Sequence, residues 1–276
     1  MSNLSVTLID VGWGDSVFIE SQDSNGVFSY ALIDSNDESD LRSSYIFLRK
    51  YFERKKIEIK NNKNLFDFII LSHAHADHGQ GLKAIIRTFG TKNFWYPKSA
   101  ELGCIADLIQ FSTKSSNVEH HEAVNNDKIL PNLGDVQMKI LWPPWNIIDK
   151  QEENNNSIVL VMKLNNVSFV LTGDAQTEIW EQIAYEIPQD TLFFKVPHHG
   201  AKNATIGKKK STPWLDRCPF NAVLGISSHV KPFKHPDPNV IKIFDDKQRV
   251  YYRTDEQYHL TFHTDGTSLN VKYSHV

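Results

Sequence analysis

Residues 72–79 contain three histidines and one aspartate in the spacing His-x-His-x-Asp-His, namely His73, His75, Asp77 and His78. Imidazole and carboxylate groups are the ligands that suit zinc, manganese or iron. On a tight loop, His73 and His75 can converge on one cation while Asp77 and His78 point at a second. The spacing therefore predicts a metal-binding loop. A histidine-rich surface turn that binds no metal is the alternative.

The residues around this loop predict the elements that hold it. Residues 66–71 form an apolar run of the length of a buried strand, and residues 79–87 have the apolar face of a helix. The loop then lies at the C-terminal end of a strand, where α/β folds usually bind their ligands. Further strand-like runs alternate with helical segments along the chain, which predicts two mixed sheets packed face to face with helices outside.

Several elements away from the loop follow from local pattern. We expect helices over Glu38–Lys55 and Leu102–Phe111, a strand over Lys128–Pro131, and a hairpin that turns at Asn165-Asn166, because asparagine tolerates a positive φ. The polar segment His120-His121-Glu122 is interpreted as a loop.

Two later segments end strand-like runs with further metal-binding side chains. Residues 172–174 end in the carboxylate of Asp174, and residues 195–200 contain the pair His198 and His199 before a glycine. A helix N-cap is the structural alternative for Asp174. A structural histidine pair is the alternative for the other two.

These motifs and three further segments resemble the metallo-β-lactamase-fold hydrolases. The resemblance runs along most of the chain and is strongest to the branch that contains the C-terminal hydrolase domain of the bacterial competence DNA-uptake channel protein. The segments that carry it, in matching order and rough spacing, are residues 10–16, 73–78, 154–160, 171–174, 195–200 and 253–255.

The resemblance implies an α/β fold, the αββα sandwich of two mixed β-sheets with external helices, as a single domain over residues 1–276. It also implies two divalent metal ions, zinc or manganese, with Asp174 bridging both. Of the histidine pair, we expect His199 to bind metal and His198 to face the substrate. The implied ligands are His73, His75, Asp77, His78, Asp174 and His199.

One departure concerns the first metal. Most of the superfamily supplies a third histidine before the bridging aspartate, where this chain has Asn154-Asn155-Asn156-Ser157. We expect a first site that has fewer ligands and is more open, completed by an amide oxygen or water. Oxygen-rich sites suit harder ions, which leaves room for manganese.

Other residues receive roles next to the substrate. His235 matches a late family segment, and we expect it to contact a phosphate or protonate the leaving group. Catalytic roles thus go to Asp77, His198 and His235, and substrate-binding roles to Asp15, Ser16, Asn155, Lys202, Lys231 and Arg253. Residues 10–16 could instead form a tight hairpin that takes no part in the chemistry. Lys202 and Lys231 could lie on a solvated loop. Arg253 could form an internal ion pair.

The predicted function is hydrolysis of a phosphodiester such as DNA, RNA or a smaller nucleotide, by a hydroxide held between the two ions. Hydrolysis of a lactam, lactone or thioester is the alternative within the same chemistry. A non-catalytic binding module is the alternative from another class. Residues 201–204 and 227–231 depart from the branch beside the substrate pocket, so we expect a different substrate choice.

Composition restricts the cellular context. The formal net charge is −3, so the chain as a whole does not have the strongly basic charge that is typical of a dedicated nucleic-acid binder. No apolar run approaches the roughly 18 residues of a membrane span, and no signal peptide is evident. We therefore expect a soluble cytoplasmic protein without a membrane partner. Cys104 and Cys218 are expected to be reduced thiols.

Overall fold

The computed structural model describes residues 1–37, 43–59, 64–101, 105–146 and 148–274. Its strands are β1 (Asn3–Leu8), β2 (Val17–Gln22), β3 (Phe28–Ile33), β4 (Phe66–Ile70), β5 (Thr91–Tyr96), β6 (Val118–Ala123), β7 (Gln137–Trp142), β8 (Val159–Leu164), β9 (Val167–Leu171), β10 (Thr191–Lys195), β11 (Val223–Ile226), β12 (Tyr251–Arg253), β13 (His259–Thr264) and β14 (Leu269–Ser274). Its α-helices are α1 (Ser43–Arg54), α2 (Ala76–Gly79), α3 (Leu82–Phe89), α4 (Ala106–Lys114), α5 (Thr177–Ile183), α6 (Lys202–Thr205), α7 (Pro238–Asp246) and α8 (Thr254–Gln257).

These strands form two mixed sheets. The first has the order β14-β13-β1-β2-β3-β4-β5-β6, and the second has the order β12-β11-β10-β9-β8-β7. Strands β3 to β6 pair in parallel, as do β9 to β12, and the remaining pairs are antiparallel. Parallel pairing brings the carboxyl ends of several strands to one edge, and this edge carries the predicted metal-binding motifs.

Three apolar clusters hold the layers together. The central one lies between the sheets and includes Leu8, Ile70 and Phe169. The second covers the outer face of the first sheet with residues of α1, α3 and α4, and the third covers the second sheet with residues of α5 and α7. Burial of apolar side chains on both faces of each sheet is the main driving force for this arrangement. The predicted αββα sandwich is confirmed.

The structure corrects two local predictions. Residues 120–122 belong to β6, an edge strand whose polar side chains are mostly exposed because it pairs only with β5 among the described residues. Lys128–Pro131 does not form a strand. Ile129 is exposed and Leu130 is buried, and this alternation of exposure resembles that of a strand. The turn at Asn165-Asn166 is confirmed, with a φ of 52° at Asn165.

Parts of two predicted helices, residues 38–42 and 102–104, lie outside the described residues, and so does Cys104. The described parts of both form α1 and α4. Cys218 is a free buried thiol. Within the described ranges, we find no helix that is long and apolar enough to cross a membrane.

Candidate metal centre

The predicted ligands gather at one edge of the sandwich because each follows the end of a strand. The loop with His73 to His78 follows β4, Asp174 follows β9, and the histidine pair follows β10. Both sheets therefore contribute residues to one cluster. Motifs that are more than 120 residues apart in the sequence meet here because β4 and β10 end at the same edge.

The turn after β10 has an unusual backbone. His198 and His199 have φ values of 50° and 55°, and Gly200 follows with 78°. Non-glycine residues rarely adopt this left-handed region, and such strain concentrates at functional sites. The turn brings the Nε2 atoms of His198 and His199 to 3.9 and 3.5 Å from Oδ2 of Asp174.

One side of the cluster, called here the Asp77 side, consists of Asp77, His78 and His199. Oδ2 of Asp77 lies 3.9 Å from Nε2 of His78 and 3.9 Å from Nε2 of His199, and Asp174 lies 3.3 Å from His78. These atoms are close enough together to hold a cation. Both Nε2 atoms, and Oδ1 of Asp174, are buried and make no hydrogen bond within the described residues. A divalent cation would satisfy all three, so the residues fit a metal.

The other side, called here the His75 side, consists of His73 and His75. Nε2 of His73 lies 3.0 Å from Nδ1 of His75 and 3.9 Å from Oδ2 of Asp174. His73, His78 and Asp174 form a second group that could hold a cation. Asp174 thus lies between the two sides, as a bridging ligand would.

Burial and charge set the protonation of the cluster. Burial alone would raise the pKa of Asp174, but the nearby histidines, His199 first, hold it well below its usual range. Burial alone would lower the pKa of His78, but the carboxylates of Asp174 and Asp34 raise it well above its usual range. Burial lowers the pKa of His73, and His78 lowers it further. The centre is therefore organised around an anionic Asp174.

Hydrogen bonds behind the Asp77 side orient its imidazoles. Nδ1 of His78 lies 2.8 Å from Oδ2 of Asp34, and the amide of Ser72 donates to the other oxygen of Asp34 at 2.7 Å. Nδ1 of His199 lies 3.0 Å from the carbonyl oxygen of Ser227. Partners on Nδ1 fix the ring orientation and leave Nε2 to bind metal. The sequence analysis missed Asp34, although a carboxylate directly after a strand was the available signal.

Asp15 and Ser16, which were predicted to bind substrate, are fully buried. Oδ2 of Asp15 forms an ion pair with Nζ of Lys195 at 2.6 Å, and Oδ1 lies 3.7 Å from Nδ1 of His199. Burial would raise the pKa of Asp15, but Lys195 and the nearby histidines hold it below its usual value. For Asp15, this placement favours support of the ligand His199 over the predicted contact with substrate. No role was assigned to Lys195 from the sequence, because it is a single lysine at the end of an apolar strand.

The histidine pair differs in exposure. The side chain of His199 is 1% exposed, whereas that of His198 is 17% exposed, and burial lowers the pKa of His198. His199 also groups with Asp77 and His78, as the sequence predicted for a ligand. The roles of His199 as ligand and His198 as substrate-facing residue stay predictions that this placement favours.

The asparagine segment supports the His75 side through a neighbour. Asn155 is buried, and its amide nitrogen donates to Asp149 at 3.1 Å, while its amide oxygen is without a hydrogen bond among the described residues. Oε1 of Glu153 accepts from the amide of Ala74 at 2.9 Å and from Ser99 at 2.8 Å. Glu153, which the sequence analysis missed, thus ties the metal-binding loop to the segment that replaces the third histidine.

The remaining residues with predicted substrate-binding or catalytic roles differ in burial and in their ion pairs. His235 is half-buried, its ring lies 5.8 Å from that of His198, and burial lowers its pKa to about 4. Lys202 and Lys231 are exposed. Arg253 pairs with Asp255 at 2.6 Å and with Glu256 at 2.8 Å, so the structure favours the internal ion pair over substrate binding for this residue.

Comparison with known proteins agrees with this architecture. No family model matches the chain. ComE operon protein 3 of Bacillus subtilis (strain 168) is 25% identical over an alignment of 263 residues that covers 91% of this chain. The match covers 32% of that protein, so the chain spans about a third of the length of this curated relative.

Two solved structures share the fold at low sequence identity. Unliganded PDE1 from yeast is 10% identical with a TM-score of 0.54, over 92% of this chain and 98% of that protein. Zn²⁺-bound PqqB from Methylobacterium extorquens is 10% identical with a TM-score of 0.52, over 94% and 99%. The chain therefore shares its fold with these two proteins, and its two mixed sheets with outer helices form the metallo-β-lactamase-like αββα sandwich.

Proposed function

We propose that the chain is a metal-dependent hydrolase that cleaves phosphodiesters in nucleic acid or nucleotides. The observation that carries this proposal is that Asp77 and Asp174 both lie close to His78 and His199, whose buried Nε2 atoms make no hydrogen bond among the described residues. When bound, two divalent ions would supply Lewis-acid stabilisation and an activated water. A binding module that had lost catalysis would not need this complete set.

The chain's own residues would divide the work. Asp174 would bridge the two ions and stay anionic because the surrounding histidines lower its pKa. Asp34 and the carbonyl of Ser227 would hold His78 and His199 with Nε2 directed into the centre. Asp77 would bind the ion of its own side and orient the attacking water.

The proposed preference for phosphodiesters is based on exposed lysines and on two histidines near the candidate metal centre. Lys202 and Lys231 are exposed on segments that follow the histidine pair, and they would attract a polyanion. His198 and His235 would face the substrate. With a pKa of about 4, His235 is neutral near pH 7 and suited to donating a hydrogen bond to a phosphate oxygen rather than to acting as a cationic acid.

The test is hydrolysis of bis(p-nitrophenyl) phosphate by chelator-stripped protein after manganese or zinc is added back. We expect turnover only when metal is restored. No turnover with either metal, in protein shown to bind it, would refute the phosphodiesterase proposal. Lactams, lactones and thioesters would then be the substrates to assay.

A further inference from the structure

A row of aromatic side chains leads from the metal centre to the surface. The ring of Trp13 lies 4.9 Å from that of His199 and 4.5 Å from that of Phe233. His235 stacks on Trp13 at 5.8 Å with an angle of 26° between the rings. We name Trp13, Phe233 and His235 the aromatic row. It begins against a predicted metal ligand and ends at Phe233, which is 60% exposed.

The inner end of the row is fixed in place. Trp13 lies between Gly12 and Gly14, which have φ values of 71° and 94°. A Cβ on Gly14 would collide with the carbonyl oxygen of Asp77, so only glycine lets this hairpin lie against the metal-binding loop. The side-chain amide of Asn36 donates to the backbone carbonyl oxygen of Trp13. The position of Trp13 relative to the centre is therefore determined by backbone contacts.

The outer end of the row is apolar, exposed and flanked by positive charge. Phe233 lies between Lys231 and Lys234, and both lysines are exposed. A single exposed ring is common on protein surfaces, but this ring continues a row of rings that begins at a predicted metal ligand. A substrate that combines a flat π-surface with negative charge would match both features.

We propose that the aromatic row stacks an unpaired nucleobase next to the phosphodiester that is cleaved, which makes single-stranded nucleic acid or its nucleotides the preferred substrate class. This inference rests on the proposed function. Base–aromatic stacking accepts any base because every base has a π-face. Bases within a duplex are already stacked on their neighbours, so Phe233 could not reach their faces without extruding them.

Binding in the presence of a chelator tests the proposal without relying on catalysis. The probes are a fluorescein-labelled oligothymidylate and an abasic oligonucleotide of equal length and charge, followed by anisotropy. We expect the wild-type chain to bind the thymidylate more tightly. Phe233→Ala should weaken thymidylate binding about fivefold or more and leave abasic binding unchanged, since one stacked base is worth roughly that factor at least.

Two variants act as controls. Phe233→Tyr keeps a ring and should keep the preference. Phe220→Ala removes a ring that is 68% exposed and precedes β11, at the opposite end of that strand from the centre, and should change nothing. Equal wild-type affinity for the two probes, no measurable binding of either, or a preference that survives Phe233→Ala would overturn the inference.

Turnover separates this inference from the proposed function. Thymidine 5′-(p-nitrophenyl phosphate) and methyl p-nitrophenyl phosphate release the same leaving group, but only the first carries a base. Metal-dependent hydrolysis of both at equal kcat/KM would uphold the phosphodiesterase and overturn the stacking site. A higher kcat/KM for the thymidine ester that Phe233→Ala abolishes would support both. Failure to hydrolyse either ester would refute the proposed function, and the binding experiment would still decide on stacking.

Discussion

The two sides of Asp174 are built differently. On the Asp77 side, His78 and His199 are buried, and each has an Nδ1 partner from another part of the chain, Asp34 or the carbonyl of Ser227. On the His75 side, His73 is buried but His75 is half-exposed, and the partner of His73 is the adjacent hydroxyl of Ser72 at 3.0 Å. A carboxylate or carbonyl partner on Nδ1 fixes the ring and raises its basicity, so we expect the Asp77 side to bind its cation more tightly.

The largest expected effect comes from removing a ligand of the better-supported side. Asp77→Ala should lower kcat for bis(p-nitrophenyl) phosphate by about a thousandfold or more, since a metal supplies several kcal/mol of transition-state stabilisation. The matched control is Asp107→Ala, whose side chain is 70% exposed. Full activity of Asp77→Ala, in protein with an unchanged circular dichroism spectrum, would contradict the metal mechanism.

Next in size is the ion pair beneath the Asp77 side. Lys195→Met leaves the buried carboxylate of Asp15 without its cation and should lower the free energy of unfolding by about 3–5 kcal/mol. Lys139→Met removes a lysine that is 64% exposed and 2.9 Å from Glu186, and should cost less than about 1 kcal/mol. Urea unfolding in the presence of chelator measures both. Equal losses would show that Lys195 is not a special support.

A third change separates the two sides through their supporting residues. Asp34→Asn places an amide against Nδ1 of His78 and should weaken the tighter cation about 10- to 100-fold. Glu153→Gln keeps an oxygen that can accept from Ala74 and should have a smaller effect, confined to the weaker cation. Titration of stripped protein with Mn²⁺ distinguishes them. If Glu153→Gln had the larger effect, the ranking of the two sides would be reversed.

The smallest effect is a pH dependence of metal affinity. Because the pKa of His78 is raised, this imidazole must lose a proton before Nε2 can bind a cation. Affinity should therefore fall about tenfold for each proton displaced as the pH is lowered by one unit, from 7.5 to 6.5. Asp34→Asn removes a carboxylate that raises this pKa, so its profile should shift to lower pH. Isothermal titration at three pH values measures the slope, and a flat profile would exclude His78 as a ligand.

The candidate ligands could be picked out from the sequence because they occur in dense local motifs, where His73 to His78 and the pair His198-His199 are recognisable within a few residues. Their supports could not, because they depend on which strands become neighbours. Asp34 is a single carboxylate after β3, and it becomes informative only when β3 pairs with β4 and brings it to His78.

Dependence on which elements become neighbours in space also explains what the sequence predicted wrongly or did not predict. The αββα layers follow from the order of apolar runs, whereas β6 is polar and is a strand only because the edge of β5 accepts it. Trp13 and Phe233 are 220 residues apart in the sequence, and nothing local marks them as one surface. Lys195 ends an apolar strand and is buried, but from the sequence alone a single lysine at this position is easily interpreted as a surface residue.

The most direct test of the metal centre is calorimetric titration of chelator-stripped protein with Mn²⁺, compared for wild type, His199→Ala and His75→Ala. The account predicts two binding events of unequal affinity in wild type. His199→Ala should abolish the tighter event, and His75→Ala should abolish only the weaker one. Absence of binding in wild type, or variants that bind as wild type does, would contradict the assignment of this cluster as a two-sided metal centre.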